Sequence, residues 1–139
     1  MEPVYAEIEL ANIEDISLAR RGFLPKDQIK RLSVNALVDS GAYMLAINET
    51  VQLQLQLPFL RRDTSNLADD SVIELDVVGP VEVRFENRTT NVDAVVLPGD
   101  AEVLLGAIPM EAMDVLIDPR RRSLVVNPQH PLRAQLPLK

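Results

Sequence analysis

Leu37-Val38-Asp39-Ser40-Gly41-Ala42 is the stretch on which the reading of this 139-residue chain turns. The apolar run Ala36-Leu37-Val38 leads into it, as in a short buried strand. That strand ends on a carboxylate, and an ionised group beside buried apolar residues loses hydration that hydrogen bonds must replace. Ser40, Gly41 and Ala42 are small, so the backbone can turn sharply and come close to another backbone. Gly41 can adopt positive φ, and the Ser40 hydroxyl can bond locally or to a symmetry-related copy. Taken alone, the hexapeptide reads as a strand ending in an Asx-type turn, which is a common structure.

A second stretch changes that reading. Val103-Leu104-Leu105-Gly106 is an apolar strand that meets a glycine. Ala107-Ile108-Pro109-Met110-Glu111-Ala112-Met113 then reads as a short helix, with Pro109 near its first turn, where a missing N–H does no harm. Apolar-Asp-Ser-Gly-Ala, followed later by apolar-apolar-Gly and a short helix, resembles the retropepsin-like aspartic proteases, the group of the retroviral proteases and their cellular and bacterial relatives. The resemblance spans residues 31–127.

The resemblance implies an all-β fold, a retropepsin-like closed β-barrel with one or two short helices that works as a homodimer. It implies catalytic roles for Asp39, Ser40 and Gly41. Ser40 would hydrogen-bond between the two loops, and Gly41 would present a backbone N–H to the carboxylate. Ala42, Leu37, Leu104, Gly106 and Ile108 would border the substrate. Ala68, Asp69, Asp70 and Ser71 would form the tip of the flap that closes over bound peptide. Asp70 stands where relatives carry glycine, and Ile108 where many carry Asp or Asn near the dimer contact. Ser123 to Asn127 could supply that contact instead.

The chemistry asks for two carboxylates. Hydrolysis by water needs one group to take a proton from the water and one to give a proton to the carbonyl oxygen. Two carboxylates within hydrogen-bond reach share one proton and do both, titrating as a unit. Only Asp39 is followed by Ser/Thr-Gly in this chain, so the second carboxylate must be Asp39 of another copy, across a two-fold axis. The alternative reading is a catalytically inactive module of the same fold, kept for dimerisation or peptide binding. A metal-dependent hydrolase built on Asp69-Asp70 has little support, because two neighbouring carboxylates in a turn are too few ligands for a hard cation.

Composition narrows the field further. There is no cysteine, hence no disulfide framework, thiolate metal site or Cys-His arrangement, and the single His130 excludes a zinc site with several His ligands within one chain. No cofactor or metal is implied. A net charge of −7 argues against nucleic acid as the main partner. The expected partners are a peptide or protein substrate and a second copy, with no membrane. The first residues, Met1-Glu2-Pro3-Val4, lack the pattern of a signal peptide, so the expected location is the cytoplasm.

In chain order, Val4 to Leu10 alternates as a half-buried strand. Residues 11–30 read as a polar loop insertion with at most one helical turn, and Leu32, Val34 and Ala36 lead to Asp39. Tyr43 to Ile47 reads as a short strand. Asn48 is placed to cap a helix over Glu49 to Leu57, although Val51, Leu53, Leu55 and Leu57 alternate like a strand. Two hairpins follow, with Gly79-Pro80 punctuating a strand and Asn87 to Asn91 as a turn. Met110 and Met113 fall at i and i+3 as core filling. Asp118 to Arg122 reads as another hairpin turn, and residues 128–139 as an extended, proline-rich tail. One domain spans residues 1–139.

Overall fold

The computed structural model describes residues 2–138, which form nine strands, three α-helices and one 3₁₀ turn at Lys26–Gln28. The strands are β1 (Val4–Asn12), β2 (Arg31–Val38), β3 (Leu45–Asn48), β4 (Phe59–Asn66), β5 (Val72–Phe85), β6 (Arg88–Leu97), β7 (Leu104–Leu105), β8 (Val115–Asp118) and β9 (Ser123–Val126). The helices are α1 (Ile13–Arg20), α2 (Glu49–Leu55) and α3 (Ala107–Met113). The fold is mostly β, with one helix more than expected.

The alternation of β1 puts Val4, Ala6, Ile8 and Leu10 in the core and leaves Tyr5 and Glu7 outside. β1 pairs antiparallel with β2 along its whole length, from Val4↔Val38 to Ala11↔Arg31. Seven strands hydrogen-bond in the order β1-β2-β7-β3-β6-β5-β4, and β1 also pairs with β5. β8 and β9 form a separate two-stranded hairpin. Ile8, Leu10, Leu45, Ile47, Val81, Val83 and Leu105 are almost fully buried in the core. Each such side chain stabilises the fold by roughly 1.5–3 kcal/mol relative to exposure.

The arrangement of β7 positions the Asp39 stretch. This two-residue strand runs parallel to β2 (Leu37↔Leu104, Val38↔Leu105) and antiparallel to β3 (Ala46↔Leu104). It therefore holds the strand entering the Asp39 loop and the strand leaving it.

Several elements differ from the sequence expectation, each for a local reason. Residues 13–20 form a helix of eight residues, because Asn12 accepts a hydrogen bond from the Asp15 N–H and caps it. The Asn12 amide also donates to the Leu55 carbonyl, which lets a polar side chain sit buried. β6 begins at Arg88 rather than at Val92. The turn is only Glu86-Asn87, with Glu86 at φ 51°, and Thr89 and Asn91 are the solvent-facing residues of a strand. Gly79-Pro80 does not end β5; the register to β6 slips between Val78 and Val81, and the strand continues.

α2 ends at Leu55, with Gln56 left-handed at φ 50°, so it is two residues shorter than expected. Tyr43 and Met44 lie outside β3. Beyond Val126 no regular element is formed among the described residues, but the segment is tied down: Asn87 Nδ2 donates to the Pro131 carbonyl, and Arg88 donates to that of His130.

Candidate active site

Asp39 follows the last residue of β2, and its backbone N–H donates to Leu105 O at 3.0 Å, extending the β2–β7 ladder by one residue. Its Oδ1 accepts the Gly41 N–H at 2.9 Å, and its carbonyl accepts the Ala42 N–H at 3.1 Å. The two bonds close a tight turn that fixes the direction of the carboxylate. Asp39 is half-buried, while Ser40 and Gly41 are exposed. A Cβ on Gly41 would lie 3.2 Å from Asp39 Oδ1, crowding the group that the N–H holds.

The far side of the loop rests on α3. The first helical N–H groups have no partner inside a helix, and here they bond the loop instead. Ala107 N–H donates to Ala42 O at 2.8 Å, and Ile108 N–H to Tyr43 O at 2.9 Å. Gly106 allows that approach. A Cβ there would lie 2.3 Å from Met44 O and 2.8 Å from Ala42 O, closer than real contacts allow. The glycine is required by space rather than by its φ.

The structure thus brings Asp39, Ser40, Gly41, Ala42, Leu37, Leu104, Gly106 and Ile108 into one unit. Leu37 and Leu104 face each other in the β2–β7 register and are half-buried, and Ile108 is 49% exposed. Tyr43, which sequence reasoning did not single out, stands beside Ile108 with 78% of its surface exposed. The signal for it was its place between the motif and the buried residues of β3.

Ala68, Asp69, Asp70 and Ser71 lie apart from this unit, at the exposed tip of the β4–β5 hairpin. The tip is closed by its own bonds: Leu67 N–H to Ser71 O and Asp70 N–H to Leu67 O. The Ser71 hydroxyl and N–H both donate to Asp69 Oδ1, which holds that carboxyl below its ordinary range. Asp70 takes φ 67°, the conformation in which glycine is least strained.

Asp114 terminates α3 at φ 55°. Its carboxylate accepts from the Gln135 N–H, the Asn127 amide and His130 Nδ1, at 2.7–3.0 Å. These bonds, with that of Gln135 the strongest cause, hold its pKa down to about 2. Asp114 thereby ties the C-terminal segment to the helix that supports the Asp39 loop. Among the described residues no group of three or more His, Asp or Glu is arranged to hold a metal ion, and no helix is long and apolar enough to cross a membrane.

Known proteins provide an independent comparison. The sequence model of the family described as "gag-polyprotein putative aspartyl protease" matches residues 27–111, which include both the Asp39 loop and Gly106. No curated protein matches the sequence. Among solved structures, the chain is similar to the retroviral protease-like domain of Ddi1 from Leishmania major, with a TM-score of 0.57 at 15% identity. The match covers 92% of this chain and 90% of that one. At that identity the likeness speaks for the fold, while the family match spans more than half of the sequence. The chain belongs to the retroviral-type aspartyl protease family and has a retropepsin-like fold.

Proposed function

We propose that this chain is one half of an aspartic endopeptidase, completed when Asp39 of a second copy meets Asp39 of the first across a two-fold axis. The observation that carries the reading is the half-buried Asp39 carboxylate, aimed by the Gly41 N–H in a loop pinned to β7 and α3. The exposed apolar surface beside it, Tyr43 and Ile108, is what a second copy or a bound peptide would cover. The β1–β5 pairing favours reading the main sheet as a closed barrel.

In this mechanism the two carboxylates share one proton. The ionised one takes a proton from a water whose oxygen attacks the scissile carbonyl carbon, and the protonated one gives its proton to the carbonyl oxygen. Breakdown of the tetrahedral intermediate breaks the C–N bond, with a proton delivered to the leaving amine. Ser40 would link the two loops and keep the carboxylates coplanar. The β4–β5 hairpin would act as the flap, with Ala68 to Ser71 over an extended substrate bound by main-chain hydrogen bonds.

The test is incubation of the full chain and its Asp39→Asn variant with a diverse peptide library at several pH values, with the mass of each measured in solution. Cleavage by the wild type alone, from a dimer, is the expected result. A dimer that cleaves nothing would leave the inactive dimerisation or peptide-binding module as the better reading. A monomer that cleaves nothing would overturn the homodimer.

A further inference from the structure

The cations of this acidic chain are unevenly spread. Residues 20–31 contain Arg20, Arg21, Lys26, Lys30 and Arg31 with Asp27 as their only carboxylate, although the whole chain carries −7. Two of the five are neutralised from outside the segment. Lys30 Nζ lies 3.1 Å from Asp15, and Arg31 reaches Glu9 at 3.4 Å and Glu82 at 4.0 Å. Among the described residues, Arg20, Arg21 and Lys26 have no carboxylate within 4.0 Å. Arg21 is stacked 5.3 Å over the ring of Phe23, which is itself 70% exposed.

Two of the unpaired cations, Arg20 and Lys26, border a groove. Ile16 and Ala19 of α1 and Ile29 after the 3₁₀ turn give it an apolar lining, and Arg20, Lys26 and Arg31 give it a charged one, around ≈ 520 Å³. The walls are held in place before anything binds. Arg21, Gly22 and Phe23 N–H groups bond back to Ser17, Ala19 and Leu18, and the Lys30 N–H bonds to Asp15 Oδ2. A prearranged surface loses little freedom on binding. The family match begins at residue 27, so α1 lies outside it, and nothing in the proposed hydrolysis uses the groove.

We propose that this groove docks a short acidic peptide segment of a protein partner. One or two apolar side chains of the segment rest against Ile16, Ala19 and Ile29, and its carboxylates face Arg20 and Lys26. Charge complementarity selects the sign of the ligand, and the apolar lining selects a peptide over a polyanion. Nucleic acid or an anionic membrane would need a broader cationic footprint and would be repelled by the rest of the chain. The site is independent of Asp39, so the two proposals stand or fall separately.

The experiment follows fluorescence anisotropy of a labelled peptide of Glu and Leu residues titrated with the full chain. Its Gln-for-Glu counterpart, a single-stranded oligonucleotide and phosphatidylserine vesicles serve as the other probes. Saturable binding of the Glu/Leu peptide is expected, weakening with added salt. Charge reversal (Arg20→Glu with Lys26→Glu) should weaken it by about tenfold or more, because like charges brought together at a contact are costly. Arg20→Gln with Lys26→Gln should act in the same direction. All variants should stay folded, with melting temperatures only slightly below wild type, since both side chains are exposed and Arg20 contributes only a weak favourable charge to the last turn of α1.

Equal binding of the Gln peptide would overturn the proposal, as would indifference to charge reversal. Preference for the oligonucleotide or the vesicles through the same residues would overturn it in favour of those ligands. Self-association that the charge-reversed variant loses would assign the groove to a second copy of the chain instead.

Discussion

Two loops of this chain present aspartates to solvent, and they are held in opposite ways. The loop from Asp39 to Met44 is bonded to β7 through Asp39 and to α3 through Ala42 and Tyr43, and it presses against Gly106. Among the described residues, the tip from Leu67 to Ser71 bonds only to itself, through Leu67, Asp69, Asp70 and Ser71. The difference is one of topology. The first loop sits where a strand is inserted between its two flanking strands; the second ends a hairpin whose outer strand, β4, is the edge of the sheet. A general acid–base pair needs fixed carboxylates, whereas a covering hairpin needs freedom to move without breaking bonds to the body. Contacts with the rest of the fold decide which loop can open locally.

The largest expected effect tests the anchored loop. Gly106→Val would place side-chain carbon where Met44 O and Ala42 O already lie, and both are backbone atoms that cannot swing aside. The variant should lose roughly 3 kcal/mol or more in denaturant unfolding, as expected when a close backbone approach is overpacked. A stability close to wild type would mean that the loop is not held against β7 and α3 as described. Next comes Asn48→Ala. Asn48 caps α2 by accepting the Val51 N–H at 2.8 Å, and its amide donates to Ala101 O in the segment that leads into β7. Loss of both bonds should cost about 1–2 kcal/mol in the same measurement.

The two loops were not equally legible in the sequence. Asp39-Ser40-Gly41-Ala42 and Leu104-Leu105-Gly106 are local signals of residue size and apolarity, and the structure sets them against each other. Asn48 was legible for the same reason, because a cap acts within three residues. α2 shows how two local signals compete. Val51, Leu53, Leu55 and Leu57 alternate, yet the segment from Glu49 to Leu55 is helical and buries Val51 and Leu55 at i and i+4, leaving Leu53 76% exposed. The cap and good helix formers outweighed the alternation.

What the sequence hid depends on distant partners. The Asn12–Leu55 bond, the bonds of Asn87 and Arg88 to the C-terminal segment, and the grip of Asp114 on residues 127–135 join positions far apart in the chain. Arg88 is the extreme case. It is 2% exposed at the start of β6, a position read as part of a turn, and its Nε and Nη1 have no hydrogen-bond partner among the described residues.

Asp114 gives a smaller, pH-dependent test of the anchored side, since it ends the helix whose beginning holds the Asp39 loop. Its carboxyl is held down to about 2 from 3.8, so its ionised form is favoured by folding. A group lowered in this way stabilises the protein above its unfolded pKa and loses that contribution as pH falls through the folded value. The melting temperature of the wild type should therefore exceed that of Asp114→Asn at pH 5, above the carboxyl's unfolded pKa. The margin should shrink between pH 4 and 2. A margin that does not change with pH would assign the difference to lost packing rather than to the carboxylate.

The smallest expected effect belongs to the self-contained tip. Asp70 stands at φ 67°, where glycine would be relaxed, but glycine also loses more chain freedom on folding. Strain relief and entropy oppose each other, so Asp70→Gly should change global stability by only about 0.5 kcal/mol in either direction. Its effect should stay local: faster hydrogen exchange at the amides of Asp70 and Ser71, with the amides of Asp39 and Ala42 unchanged. If the hairpin is the flap, peptide cleavage should change through KM more than through kcat, because the tip covers substrate without touching the carboxylates. Destabilisation approaching that of Gly106→Val would show that the tip is braced against the body of the protein, and the contrast between the two loops would fail.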